Sequence, residues 1–365
     1  MKEKRINPFL NFDKIEYTKI NNKTIIDARK RIKDENDKCL ICGKQVSSFC
    51  NSHSIPYSVL DKMDLENGEL IPFQNAAMAK LLTKVTKGKN NSSIFKSICR
   101  ECDQLFFDKL DNMDVINDEW DNKLLRLQAV RILLYKMYRL KEFTYSYYEL
   151  DKELYNKEFI KTQQQMDLDD YNYYLNIINS LLENENEEFD ILYSKVLDYE
   201  IDFATATLLH IDVNPFLDTI IKQGTEDKII MESYDIDDMF FNVIKLDKNR
   251  ESNSSIYFIA FPFNGKTKIL MFCDKNSIAG LLLKICFDEM NESEILNYIS
   301  ATLVIHGNNM YGNEKFMKLF RKCCNFFKEK HQHKFLNGEN IQLYISDLIE
   351  LYSYLMNDEY NLFKK

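Results

Sequence analysis

The sequence predicts an α+β chain built from a cysteine-bearing N-terminal module, a helical middle and a C-terminal antiparallel sheet with helices. Three observations predict it. Two C-x-x-C pairs stand at 39–42 and 99–102, apolar residues recur at helical spacing between about 116 and 199, and past residue 200 short apolar runs alternate with polar turns. The expected divisions are a basic arm at 1–35, a metal-binding module at 36–115, a helical region at 116–199 and an α+β domain at 200–365.

Each element follows from local pattern. TIIDARKRIK gives the basic arm modest helical character, and the polar DENDK breaks it before the first cysteine pair. IPYSVLDKM and CDQLFFDKLDNM each read as a short helix opening at or just after a motif. Apolar spacing in DNKLLRLQAVRILLYKMYRL and YNYYLNIINSLL predicts two long helices packed as a hairpin, with the acidic LLENENEEFD on a solvated face or at a kink. DFATATLLHIDV, KIIMESY, MFFNVIKL, SSIYFIAFPF and TKILMFCD read as strands separated by turns such as KNRESN and FNGK. The chain then returns to helix at SIAGLLLKICFDEM, NEKFMKLFRKCCNFFKEK and NIQLYISDLIELYSYLM. No repeat with a period of 20 to 50 residues is evident.

Composition narrows the function classes. At 365 residues, with 45% hydrophobic and 13% aromatic content, the chain has enough apolar mass to fold throughout. Its 9 Gly and 5 Pro are too few for a barrel of many tight turns. The sequence has no long apolar run and no secretory leader pattern, so a cytoplasmic protein that does not enter the membrane is expected. Nine cysteines, an odd number with two C-x-x-C pairs, point to reduced thiols and metal rather than disulfides. Cys50, Cys273, Cys286, Cys323 and Cys324 read as small packed residues, and His210 and His306 as core or turn residues. The net charge of −9 is uneven: residues 1–141 carry 26 basic and 19 acidic side chains. A polyanion partner would therefore meet the N-terminal end.

The paired cysteines carry the strongest chemistry. A C-x-x-C knuckle, here CLICGK with Gly43 at the turn, presents two thiolates to one ion, and CREC at a helix start supplies two more. Cys39, Cys42, Cys99 and Cys102 are thus the expected ligands of a structural zinc ion in a treble-clef arrangement.

Between the pairs lies SFCNSHSIP, with His53 eleven residues after Cys42. The succession of Cys39 and Cys42, His53 with Ile55 and Pro56, then Cys99 and Cys102 followed by Asp103, resembles the zinc-knuckle HNH (His-Me finger) endonucleases over residues 36–112. The resemblance implies a ββα-metal module with His53 as general base and Asp103 helping to hold a catalytic Mg²⁺ or Mn²⁺. The layout is also similar to bacterial proteins with Ser-His-x-Ile-Pro and Cys-x-x-Cys-Asp segments, some of which look like phage-defence genes. Read from the residues alone, His53 has two alternatives: a zinc ligand, or a structural residue where Ser52 or Ser54 caps the next helix.

Lys80, Lys84, Lys87, Lys89, Lys96 and Arg100 fall in a segment, 74–100, without a single acidic residue. They are the expected nucleic-acid contacts, with Arg126, Arg131, Lys136 and Arg139 extending the same surface. The expectation is an HNH-like nuclease that cuts DNA more than RNA, as a homo-oligomer or with a defence-system partner. Ser52 and Phe106, which depart from the family pattern, favour a second reading as a non-catalytic zinc finger binding nucleic acid or protein. A third makes the C-terminal domain a sensor.

Overall fold

A computed structural model describes residues 25–33, 37–63, 69–73, 87–154, 157–210, 255–323 and 354–364, together with Lys23 and Tyr352. Helix α1 covers 25–33. The cysteine module follows, with β1 (Ser52–His53), α2 (Tyr57–Lys62), β2 (Glu69–Phe73), β3 (Lys87–Gly88), β4 (Ile94–Phe95), α3 (Arg100–Phe107) and α4 (Met113–Asn117). The helical middle is α5 (Asn122–Leu154) and α6 (Lys157–Glu183). Then come β5 (Phe189–Leu197), β6 (Phe203–His210), β7 (Ser255–Phe263), β8 (Lys266–Asp274), α7 (Ile278–Asp288), α8 (Glu292–His306), β9 (Met310–Gly312) and α9 (314–323). The α+β class, the helical hairpin and the antiparallel sheet agree with the sequence. KIIMESY and MFFNVIKL lie outside the described residues, as do Lys80, Lys84, Cys324 and most of the last expected helix.

The main sheet has seven strands in the order β3-β2-β9-β6-β7-β8-β5, every neighbouring pair antiparallel. Two of its strands, β2 and β3, come from the cysteine-bearing third of the chain. Strand β2 reaches the C-terminal strands through β9, with Ile71 opposite Gly312 and Phe73 opposite Met310. Gly312 is required by close approach: a Cβ there would lie 2.6 Å from the Phe316 ring and 3.0 Å from the Asp202 carbonyl oxygen. The β7–β8 hairpin turns on Asn264 and Gly265, with φ of 46° and 78°. That left-handed pair makes the type I′ geometry expected of FNGK.

Both sheet faces are covered. Ile256, Phe258, Ala260, Ile269 and Met271 pack with α7, α8 and α9. Tyr257, Ile259, Phe261, Leu270 and Phe272 pack with α5, α6 and the cysteine module. Burial on both faces explains why SSIYFIAFPF is continuously apolar rather than alternating. Helix α5, at the centre of the second layer, is buried on every side from Leu125 to Tyr135. That overturns the expectation for its cations: Arg126 and Arg131 are 7% and 1% exposed, not part of a basic surface. Their heads are held inside, Arg131 by Asp111 at 2.8 Å and Arg126 by the carbonyl oxygens of Leu181 and Asn184.

Candidate metal centre and the His53 site

Four thiols converge where the sequence paired them. The Sγ atoms of Cys39, Cys42, Cys99 and Cys102 lie within 4.8 Å of one another, with Cys42 and Cys99 3.8 Å apart. Four thiolates at about 2.3 Å from a tetrahedral zinc would be roughly 3.8 Å apart, so the donor set and its spacing fit such an ion. The first pair sits on a tight turn in which the Gly43 N–H donates to the Cys39 carbonyl, with Gly43 at φ 68°. The second pair opens α3, where Cys99 is the N-cap and its sulfur accepts from the Cys102 N–H. A backbone bond from Leu40 to Ser97 and one from the Cys99 N–H to the Cys39 sulfur tie turn to helix. The Lys44 N–H lowers the Cys42 thiol to about 7, while burial pushes Cys39 and Cys102 up. Four thiolates this close repel one another, and a bound cation removes that penalty.

His53 stands beside this centre and outside it, which sets aside the zinc-ligand alternative among the described residues. Nor does a serine cap α2, because Pro56 is the N-cap residue and makes no side-chain cap bond. Strands β1 and β4 pair antiparallel, Ser52 opposite Phe95 and His53 opposite Ile94, and α3 follows five residues after β4. The two strands thus lie in the chain between the cysteine pairs and the helix at the second pair, with the histidine on the first strand. Its Nδ1 lies 2.9 Å from the Ser92 carbonyl oxygen. A carbonyl can only accept, so the proton is on Nδ1 and Nε2 keeps its lone pair. Burial and the neighbouring Arg131 charge lower the His53 pKa, against opposing pulls from Ser92, Asp111 and Asp103. The net direction favours the neutral ring.

Asp103 is on the first turn of α3, and its Oδ2 accepts from the Cys50 thiol at 3.4 Å. Its Oδ1 is buried without a hydrogen-bond partner. Beyond the four cysteines, the described residues hold no further cluster of three or more histidine, cysteine or acidic ligands. Two carboxylates, Asp111 and Asp103, act on His53, and no group of three such ligands among the described residues includes them.

Comparison with family models, curated proteins and solved structures gives no match.

The candidate nucleic-acid contacts separate. Lys87 is half-buried on β3; the Tyr311 phenol acts to raise its pKa, but burial, Arg139 and Arg29 lower it. Lys89 donates to the Asp61 carbonyl at 2.7 Å and pairs with its carboxylate. Lys96 and Arg100 are exposed. Lys96 shares a shallow depression with Lys38 and Lys141, two cations that spacing along the chain did not single out. No helix among the described residues is long and apolar enough to cross a membrane.

Sequence patterns also missed Asn309, which lies between α8 and β9. Its Nδ2 donates to Ser54 Oγ at 2.7 Å and to the Ala206 carbonyl at 2.6 Å, and its Oδ1 accepts from Ser93 Oγ. Ser54 follows His53 and Ser93 follows Ser92, so one C-terminal amide braces both halves of the His53 site. No signal in the sequence marks it, since a single Asn after a helix reads as a turn residue.

Proposed function

We propose that the chain is an HNH-like, metal-dependent nuclease that cuts nucleic-acid phosphodiesters, with zinc as the ion of the Cys39, Cys42, Cys99 and Cys102 centre. The observation that carries this reading is His53: an imidazole oriented by the Ser92 carbonyl, on a strand pair that lies in the chain between the two halves of a four-cysteine centre. His53 Nε2 takes a proton from water as the new oxygen–phosphorus bond forms and the bond to the leaving oxygen breaks. Asp103 would hold a Mg²⁺ or Mn²⁺ ion, which supplies charge stabilisation for the phosphoryl oxygens. Burial first, and the buried Arg131 charge second, favour the unprotonated His53 that a general base requires. A place in bacterial defence rests on the resemblance of layout alone.

The test is cleavage of plasmid, single-stranded DNA and RNA with Mg²⁺ or Mn²⁺, comparing wild type with His53→Ala at matched zinc content. Cleavage lost in the variant alone supports the reading; equal cleavage by both proteins removes His53 from the chemistry. One observation favours a non-catalytic binding module instead: Asp103 Oδ2 is already engaged by Cys50. Under that reading neither protein cleaves, and charge reversal at Lys96 and Arg100 abolishes nucleic-acid binding.

A further inference from the structure

Between α5 and β6 lies a cavity of about 130 Å³. An engineered apolar cavity of about 150 Å³ takes up benzene, so this space suits a compact ligand of that order. Its walls are mostly apolar, from Ile132, Leu140, Phe143 and Leu208. Two cations, Lys136 and Arg139, stand on the same wall one turn apart, and no carboxylate is among the described lining residues. Arg139 pairs with Glu142, which also pairs with Arg29, so two guanidiniums share one carboxylate. Burial lowers the Lys136 pKa, and the Asp170 and Asp167 charges act against that.

The cavity and the His53 site share one residue. Asn309 lines the cavity, and its amide is the group that braces Ser54 and Ser93.

We propose that this cavity binds a small monoanion with an apolar body, of the size of benzoate or isovalerate, and that Asn309 transmits its occupancy to His53. The carboxylate meets Arg139 and Lys136, for which charge-assisted bonds are strong in a partly desolvated site, and the apolar body meets Leu140 and Phe143. The inference goes beyond the nuclease reading and stands apart from it, because the cavity holds none of the groups assigned to cleavage.

Full-length, metal-loaded protein is titrated calorimetrically with benzoate and isovalerate, and with the neutral benzamide and isovaleramide. In parallel the His53 ring resonances, assigned against His53→Gln in a chain with only five histidines, are followed by NMR. The expected result is saturable binding of at least one anion, about tenfold or more tighter than its amide, with movement of the His53 signals. Lys136→Met weakens that binding by a similar factor, and Asn309→Ala, read at saturating anion, loses the His53 response. Absence of saturable binding by both anions, or equal binding of anion and amide, overturns the site. Binding that leaves the wild-type His53 signals unmoved overturns the transmission. None of these readouts uses cleavage, so failure of the nuclease reading is scored separately.

Discussion

Cys99 does two jobs that a single substitution separates. Its sulfur is one of the four candidate ligands and also accepts the capping bond that starts α3. Serine is a good N-cap and a poor soft-metal ligand, so Cys99→Ser keeps the cap and removes the thiolate. We expect metal content to fall from one ion per chain to near zero, and stability to fall by several kcal/mol in urea unfolding, since binding energy at such a centre is folding energy. Full metal content and unchanged stability in the variant would refute the four-thiol centre. His306 makes a second prediction. Burial lowers its pKa to about 4, and its Nε2 has no hydrogen-bond partner. The unfolded chain takes up the proton near pH 6.5 and the folded chain only near 4, so its contribution is complete above 6.5 and is lost progressively as pH falls toward 4. Between pH 7 and pH 5 this costs about 2 kcal/mol. His306→Phe should flatten that part of the urea stability profile; an unaltered profile would place the acid sensitivity elsewhere. The same residues show what was legible at this scale. The cysteines declared themselves because metal binding demands a fixed spacing, and His53 because of its neighbours. Asn309 did not, because its partners lie 255, 216 and 103 residues away and no local pattern encodes them.

Helix α5 was legible as a helix and misread as a surface. Leu, Ile and Val occupy all of its sides, so the three- and four-residue spacing announces the element while leaving no polar face to orient it. Arg131 therefore passed for a solvent-facing cation, although its guanidinium lies over the Phe107 ring and pairs with Asp111. The consequence is measurable. Asp111 is 40% exposed, so the ion pair is partly screened, and Asp111→Ala should cost about 1–3 kcal/mol rather than the larger penalty of a fully buried pair. Because Asp111 acts to raise the His53 pKa, its loss should move the His53 titration lower still. An NMR titration in which His53 moves upward would contradict the arrangement. Strands β2 and β9 failed for a different reason. ELIPF carries a proline and MYG is three residues long, so each is stable only through the partner it meets, and that pairing is a long-range fact.

At the scale of the whole molecule, the partition into successive modules along the chain meets a sheet that does not follow it. Residues 69–73 and 87–88 supply two of the seven strands, and β2 joins the remainder only through β9 at 310–312. The second apolar layer mixes Ile55, Val59 and Phe95 of the cysteine module with Leu133 of α5 and Tyr257, Phe261 and Phe272 of the sheet. A fragment ending at residue 199 would lose β6, β7, β8 and β9 together, leaving β2 unpaired on its inner edge and one side of α5 without its covering layer. Exposure of that much aromatic surface costs about 25 cal/mol per Å² of apolar area, more than the few kcal/mol by which domains are usually stable. We expect the fragment to bind hydrophobic dye and to give poorly dispersed amide spectra even when supplied with zinc. In the full chain, metal release and loss of near-ultraviolet signal should then occur in one transition on heating. A fragment that folds with dispersed spectra, or a full chain that releases its metal in a separate earlier step, would mean that the cysteine module stands on its own. The four thiols would then hold the His53 strands without help from the sheet, and the brace through Asn309 would be dispensable to the site.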